Sequence, residues 1–127
     1  MLDPASYHAD VLNQTCQVVR AVALALPEET RSPLDPAQIV SGAPDVHVLP
    51  LAQDDAVEVG IWQHTAGVST DIEADEIFIV LSGRATIEVA DGPTLEVGPG
   101  YVGFLTAGAQ TVWTVHEDLR KVYVVRT

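Results

Sequence analysis

Positive charge is scarce in this sequence: six lysine and arginine residues stand against eighteen aspartate and glutamate residues, a formal net charge of −12. Such a surface repels a phosphate backbone or an anionic bilayer, so neither nucleic acid nor membrane is expected as a partner. Cysteine is nearly absent as well. Cys16 alone can neither close an internal disulfide nor build a structural zinc knot. With no histidine or asparagine assignable to it, it reads as part of the apolar face of an N-terminal segment. Long hydrophobic runs are also missing, since none approaches the roughly 18 residues of a spanning helix. The opening MLDPASYHAD lacks the basic-then-apolar order of a signal peptide. A soluble, cytoplasmic protein is therefore expected. What is present, 127 residues of which 47% are hydrophobic, suits one domain with a single core.

Proline and glycine divide the chain near residue 56. Six of the eight prolines fall in residues 1–50 and eight of the nine glycines at 60 or later, so the two parts are expected to be built differently. In the first part Asp3 can cap a helix with Pro4 at its first position, and Tyr7, Val11, Val18, Val22 and Leu26 recur at helical spacing. Val18–Leu26 (VVRAVALAL) also has the β-branched content of a strand, and a short helix followed by a strand is the favoured reading. Residues 27–44, broken by four prolines, read as an excursion with at most a turn of helix at Pro36–Val40. The second part is a series of short strands: 46–51, 57–65, 76–81, 85–90, 94–97, 101–105, 111–116 and 121–126. Turn signals at Gln53-Asp54-Asp55, Ser82-Gly83, Asp91-Gly92-Pro93 and Gly98-Pro99-Gly100 separate several of them. This pattern predicts an all-β jelly-roll barrel over 46–127 with an N-terminal helix/strand extension over 1–45. Alternation within its strands predicts buried Val57, Val59, Ile61, Phe78, Val80, Ile87 and Val89.

Two stretches are more specific. Glu76 stands before the apolar run Ile77–Leu81 and Ser82-Gly83-Arg84, and Gly98-Pro99-Gly100-Tyr101 to Gly108 follows after an intervening hairpin. The pair resembles the two motifs of the cupin superfamily, a double-stranded β-helix fold. Leu34-Asp35-Pro36, Gly42-Ala43-Pro44, Gly60-Ile61-Trp62, Ala66-Gly67, Trp113-Thr114-Val115 and Arg120-Lys121-Val122-Tyr123-Val124 extend the resemblance over about residues 33–126, towards small cupins related to (S)-ureidoglycine aminohydrolase. The resemblance implies a metal held by two histidines and a glutamate of the first motif and a histidine of the second. Here the first-motif histidine positions hold Thr70 and Ile72, or Ser69 and Asp71 in the other register, and the second-motif position holds Thr111. Only the carboxylate position, Glu76, keeps its residue type, and one carboxylate cannot hold a transition metal. No metal and no cofactor are expected.

His64 shares a strand face with Trp62 and is the residue placed to meet Glu76. His116 falls on the face opposite Thr111 and Trp113 and is expected outside the barrel, while His8 and His47 are expected in solvent. The acidic run Asp71, Glu73, Asp75 reads as a solvated loop, and Glu76 as a lumen-facing carboxylate able to act as an acid or base. The expected function is binding of a small organic ligand in the barrel by Trp62, His64, Glu76, Thr111 and Trp113. The alternatives are a metal-free isomerase, epimerase or cyclase using Glu76 and His64 as catalytic residues, or a metal-dependent amidohydrolase like the ureidoglycine relatives. The apolar segment Val18–Leu26 suggests a homodimer.

Overall fold

A computed structural model of the chain describes residues 16–127. The Asp3–Val11 part of the expected helix, and His8 with it, lies outside the described residues. Three single 3-10 turns, Ala21–Ala23, Glu28–Thr30 and Pro36–Gln38, precede the strands. The last stands where the prolines confined a helix to one turn. Asp35 caps it by accepting from Ala37 N–H, and Gln38 returns a bond to Asp35 N–H. The strands are β1 (Ile39–Ser41), β2 (Val46–Gln53), β3 (Val57–His64), β4 (Gly67–Ile72), β5 (Glu76–Val89), β6 (Thr94–Val97), β7 (Val102–Leu105) and β8 (Gln110–Arg126).

Every pairing is antiparallel, and the eight strands form one sheet that curls into the expected jelly-roll barrel. Strand β8 organises it. Its first half pairs with β4 and its second half with β3, while β5 runs along its whole length on the other side. A strand shared by two walls must bend, and the β5–β8 register slips three times between Val80 and Ala85. Gly83 sits in that bend at φ +87°, where a Cβ would run into the Asp118 carbonyl. Ser82-Gly83 is therefore a bulge and not the end of a strand: the runs at 76–81 and 85–90 join into β5, as those at 111–116 and 121–126 join into β8.

Two further expectations are corrected. The acidic run is partly a strand: Gly67 opens β4, which ends at Ile72. Segment Val18–Leu26 is not a strand but an irregular strap with one turn at Ala21–Ala23. Its Ala21, Val22 and Leu24 carbonyls accept from the Arg120 guanidinium at 3.0, 3.3 and 2.7 Å. Val18, Val19 and Val22 are exposed, and Cys16 is exposed rather than packed on an apolar face.

The core fills one end of the barrel with Phe78, Val80, Ala85, Ile87, Val97, Leu105, Trp113, Val115 and Leu119. Of the expected core residues Ile61, Phe78, Val80 and Ile87 are buried, whereas Val57, Val59 and Val89 are half-buried. Trp113 meets Phe78 at 5.8 Å and Trp62 at 5.4 Å between ring centroids, both pairs tilted by more than 50°, and Trp62 lies 5.3 Å from the His64 ring. That aromatic row forms the boundary between the packed end and the open end.

Candidate functional site

Inward residues recur every second position along a strand, so each wall delivers an alternating set to the lumen. Strand β3 contributes Glu58, Trp62 and His64; β4 and the residue after it contribute Ser69, Asp71 and Glu73; β5 contributes Glu76; β8 contributes Trp113, Lys121, Tyr123 and Val125. They enclose a cavity of about 340 Å³, whose mouth is bordered by Ser32, Pro33, Leu34 and Gln38. Gln38 Nε2 donates to the Thr70 carbonyl at 3.0 Å, tying that border to β4.

The charge at the centre is an ion pair. Lys121 Nζ donates to Glu76 Oε2 at 2.7 Å, with the lysine side chain 5% and the glutamate side chain 13% exposed. The same ammonium lies 4.4 Å from the Trp62 ring centroid, 4.6 Å from Phe78 and 4.7 Å from Trp113. Three ring faces thus supply the electrostatic attraction that water would otherwise give.

Glu76 therefore does not pair with His64, as the sequence suggested. The His64 ring is fully buried, with Nδ1 2.6 Å from the Thr65 carbonyl and Nε2 2.9 Å from Ser69 Oγ. A carbonyl can only accept, so Nδ1 carries the proton and Nε2 accepts from the Ser69 hydroxyl. Burial, together with the charge of Lys121, lowers its pKa against the opposing pull of the Thr65 carbonyl, favouring the neutral ring.

Glu73 is the residue that sequence reasoning missed. Its backbone is clamped on both sides, N–H to the Ala109 carbonyl at 2.9 Å and carbonyl to Gly108 N–H at 2.8 Å. This turns its side chain inward, 8% exposed, where Oε2 accepts from Thr111 Oγ1 at 2.6 Å and Trp113 Nε1 at 3.0 Å. Asp71 stands beside it at the mouth. Desolvation first, then the negative charge of Glu73, push the Asp71 carboxyl up to about 6. The two-residue spacing of Ser69, Asp71 and Glu73 was the available signal.

On the opposite wall Tyr123 Oη donates to Glu58 Oε2 at 2.6 Å. Desolvation and that bond raise the phenol, which stays protonated. Gly60 makes room for it, because a Cβ there would meet the Tyr123 hydroxyl.

Of the residues expected to bind a ligand, Trp62, His64, Glu76 and Trp113 line the cavity. Thr111 is buried behind it and holds Glu73 in place. The inward pair on β4 is Ser69 and Asp71, while Thr70 bonds Gln38 and Ile72 is exposed. His116 is exposed, 2.8 Å from Thr86 Oγ1. His47 is half-buried rather than free in solvent, with Nδ1 2.8 Å from Thr30 Oγ1.

The donor set does not fit a transition metal. Glu76 is matched by an ammonium, both His64 nitrogens are engaged, and the remaining inward positions hold serine and carboxylates. Among the described residues no group of three or more His, Cys, Asp or Glu is arranged around a common point. Nor, among them, is any helix long and apolar enough to cross a membrane.

Comparison with known proteins matches residues 51–123 to the EutQ-like cupin domain. The EutQ protein of Clostridium difficile superposes with a TM-score of 0.70 at 19% identity, covering 86% of this chain and 85% of that one. A Pseudomonas syringae protein of unknown function from the DUF861 family gives a TM-score of 0.71 at 28% identity over 82% of this chain and 45% of its own. A putative ethanolamine utilization protein from Salmonella typhimurium gives 0.55 at 20% identity, covering 67% and 70%. Comparison with curated proteins returns no match.

Proposed function

The chain belongs to the EutQ-like cupin domain family, and from that premise we propose that its barrel binds a small organic molecule without a metal, in a cytoplasmic homodimer. The observation that carries this reading is the cavity of about 340 Å³ in which an aromatic wall, Trp62 and Trp113, meets the Glu76–Lys121 pair. An apolar face with a few convergent polar groups is the general form of a small-molecule site. The test is a thermal-shift screen of small hydroxy- and oxo-compounds, repeated on Trp62→Ala. Compounds that stabilise the parent and leave the variant unmoved support the reading; a screen in which both respond alike places binding elsewhere.

A metal-free acid/base enzyme is the second reading. It is favoured by Asp71, whose carboxyl exchanges its proton near pH 6 beside the buried Glu73. In that role Asp71 and Glu73 replace the Glu76–His64 pair, because His64 has no free nitrogen. The amidohydrolase reading draws no support from this donor set.

A further inference from the structure

We propose that the ammonium of Lys121 is a built-in cation occupying the coordination place beside Glu76, so that this barrel carries an ammonium centre where a metal centre would otherwise stand. The proposal deepens the reading of a metal-independent pocket, and its test needs no ligand, so the two can fail separately.

Lys121 is the only lysine in the chain. On a molecule of net charge −12 a single lysine would be well placed in solvent among carboxylates, yet this one is 4% exposed. Its position is specified on every side: Glu76 Oε2 at 2.7 Å, and the rings of Trp62, Phe78 and Trp113 within 4.4 to 4.7 Å. Strand register fixes it further, since Lys121 pairs with Trp62 on β3 and Val80 on β5. A divalent ion seeking Glu76 would compete with Nζ for the same oxygen and be repelled by it. His64, the residue the sequence offered as a second ligand, has already given its Nε2 lone pair to Ser69. The chemistry left at this point is hydrogen-bond donation from N–H to an oxygen acceptor. Four carboxylates, Glu58, Asp71, Glu73 and Glu76, share the cavity with this one ammonium. An uncharged carbonyl or hydroxyl compound is therefore the class of ligand the centre takes.

The experiment is Mn²⁺ titration followed by electron paramagnetic resonance on the parent, Glu76→Gln, Lys121→Met and Lys121→Met/Glu76→Gln. The parent should show no Mn²⁺ affinity that Glu76→Gln abolishes, because the ammonium holds that carboxylate. In Lys121→Met the freed Glu76 should add a weak Mn²⁺ affinity, weak because one carboxylate alone is a poor site, and the double variant should lose it. A parent site abolished by Glu76→Gln overturns the proposal, as does a folded Lys121→Met chain with no more Glu76-dependent Mn²⁺ affinity than the parent. If Lys121→Met does not fold, the parent decides alone. With ¹⁵N-lysine labelling it has a single side-chain resonance, expected at the ammonium position at pH 7 and displaced by Glu76→Gln. A neutral amine, or a resonance indifferent to Glu76→Gln, contradicts the proposal.

Discussion

Lys121 and Glu76 are both withdrawn from water, so removing one strands the other as an uncompensated buried charge. Lys121→Met should cost about 3–5 kcal/mol in urea unfolding, whereas changing both members, with Glu76→Gln, should recover much of the loss. Equal losses in the single and double variants would mean the ion pair is not what the lysine contributes. Asp71 makes an opposite, pH-dependent contribution. In the unfolded chain its carboxyl titrates near ~3.9, and in the folded chain at about 6. Between those values the native state holds more protons, so its contribution is full below pH ~4 and lost as pH rises through 6. Asp71→Asn should flatten the urea midpoint between pH 4 and 6.5; a slope unchanged in the variant would assign it to another group. The ion pair was not legible from strand alternation alone. In Lys121-Val122-Tyr123-Val124-Val125 the valines look like the core face and the lysine like the solvent face. The barrel inverts this: Val124 is exposed, Lys121 and Tyr123 are buried, and only the partners on the facing walls make that tolerable.

At the scale of elements, the two long strands β5 and β8 carry the architecture, and their shared bend is the point where a local change has the widest effect. Gly83→Ala would require a left-handed backbone and a contact with the Asp118 carbonyl together. A loss of at least ~2 kcal/mol in chemical denaturation is expected. A near-neutral result would show that the bulge relaxes freely. Most strands were legible because their alternation and Gly/Pro punctuation are local. Continuity through Ser82-Gly83 was not, because a glycine next to a serine signals a hairpin and a bulge equally, and the choice is made by β8 from across the sheet. Strand β4 was hidden for a related reason. Its Ser69, Thr70 and Asp71 lack β-strand apolarity, since their inward partners are a histidine and a carboxylate rather than a core.

For the whole molecule, the barrel followed from strand count and turn chemistry, whereas the departures at Ile72 and Thr111 did not mark its cavity, since Ile72 is exposed and neither residue lines it. Its outer face carries an uncharged strip: Ile77 and Ile79 on β5 are cross-strand neighbours of Phe104 and Val102 on β7, all four exposed. On a chain of net charge −12, association is least opposed there. A second copy seated on this strip should give, in light scattering, twice the 13.5 kDa chain mass, returning towards one chain mass in Phe104→Lys. A parent measured at 13.5 kDa removes the homodimer. The central claim, that the lumen is the binding site, has a direct reporter, because the chain's two tryptophans, Trp62 and Trp113, both line it. The decisive measurement is a tryptophan-emission titration with a compound that stabilises the parent in the thermal screen. A saturable change is predicted that weakens about tenfold or more in Glu76→Gln, since Glu76 is the charged partner that holds the Lys121 ammonium in place to donate to the ligand. A stabilising compound that leaves the emission unmoved, or that binds both chains alike, would contradict it.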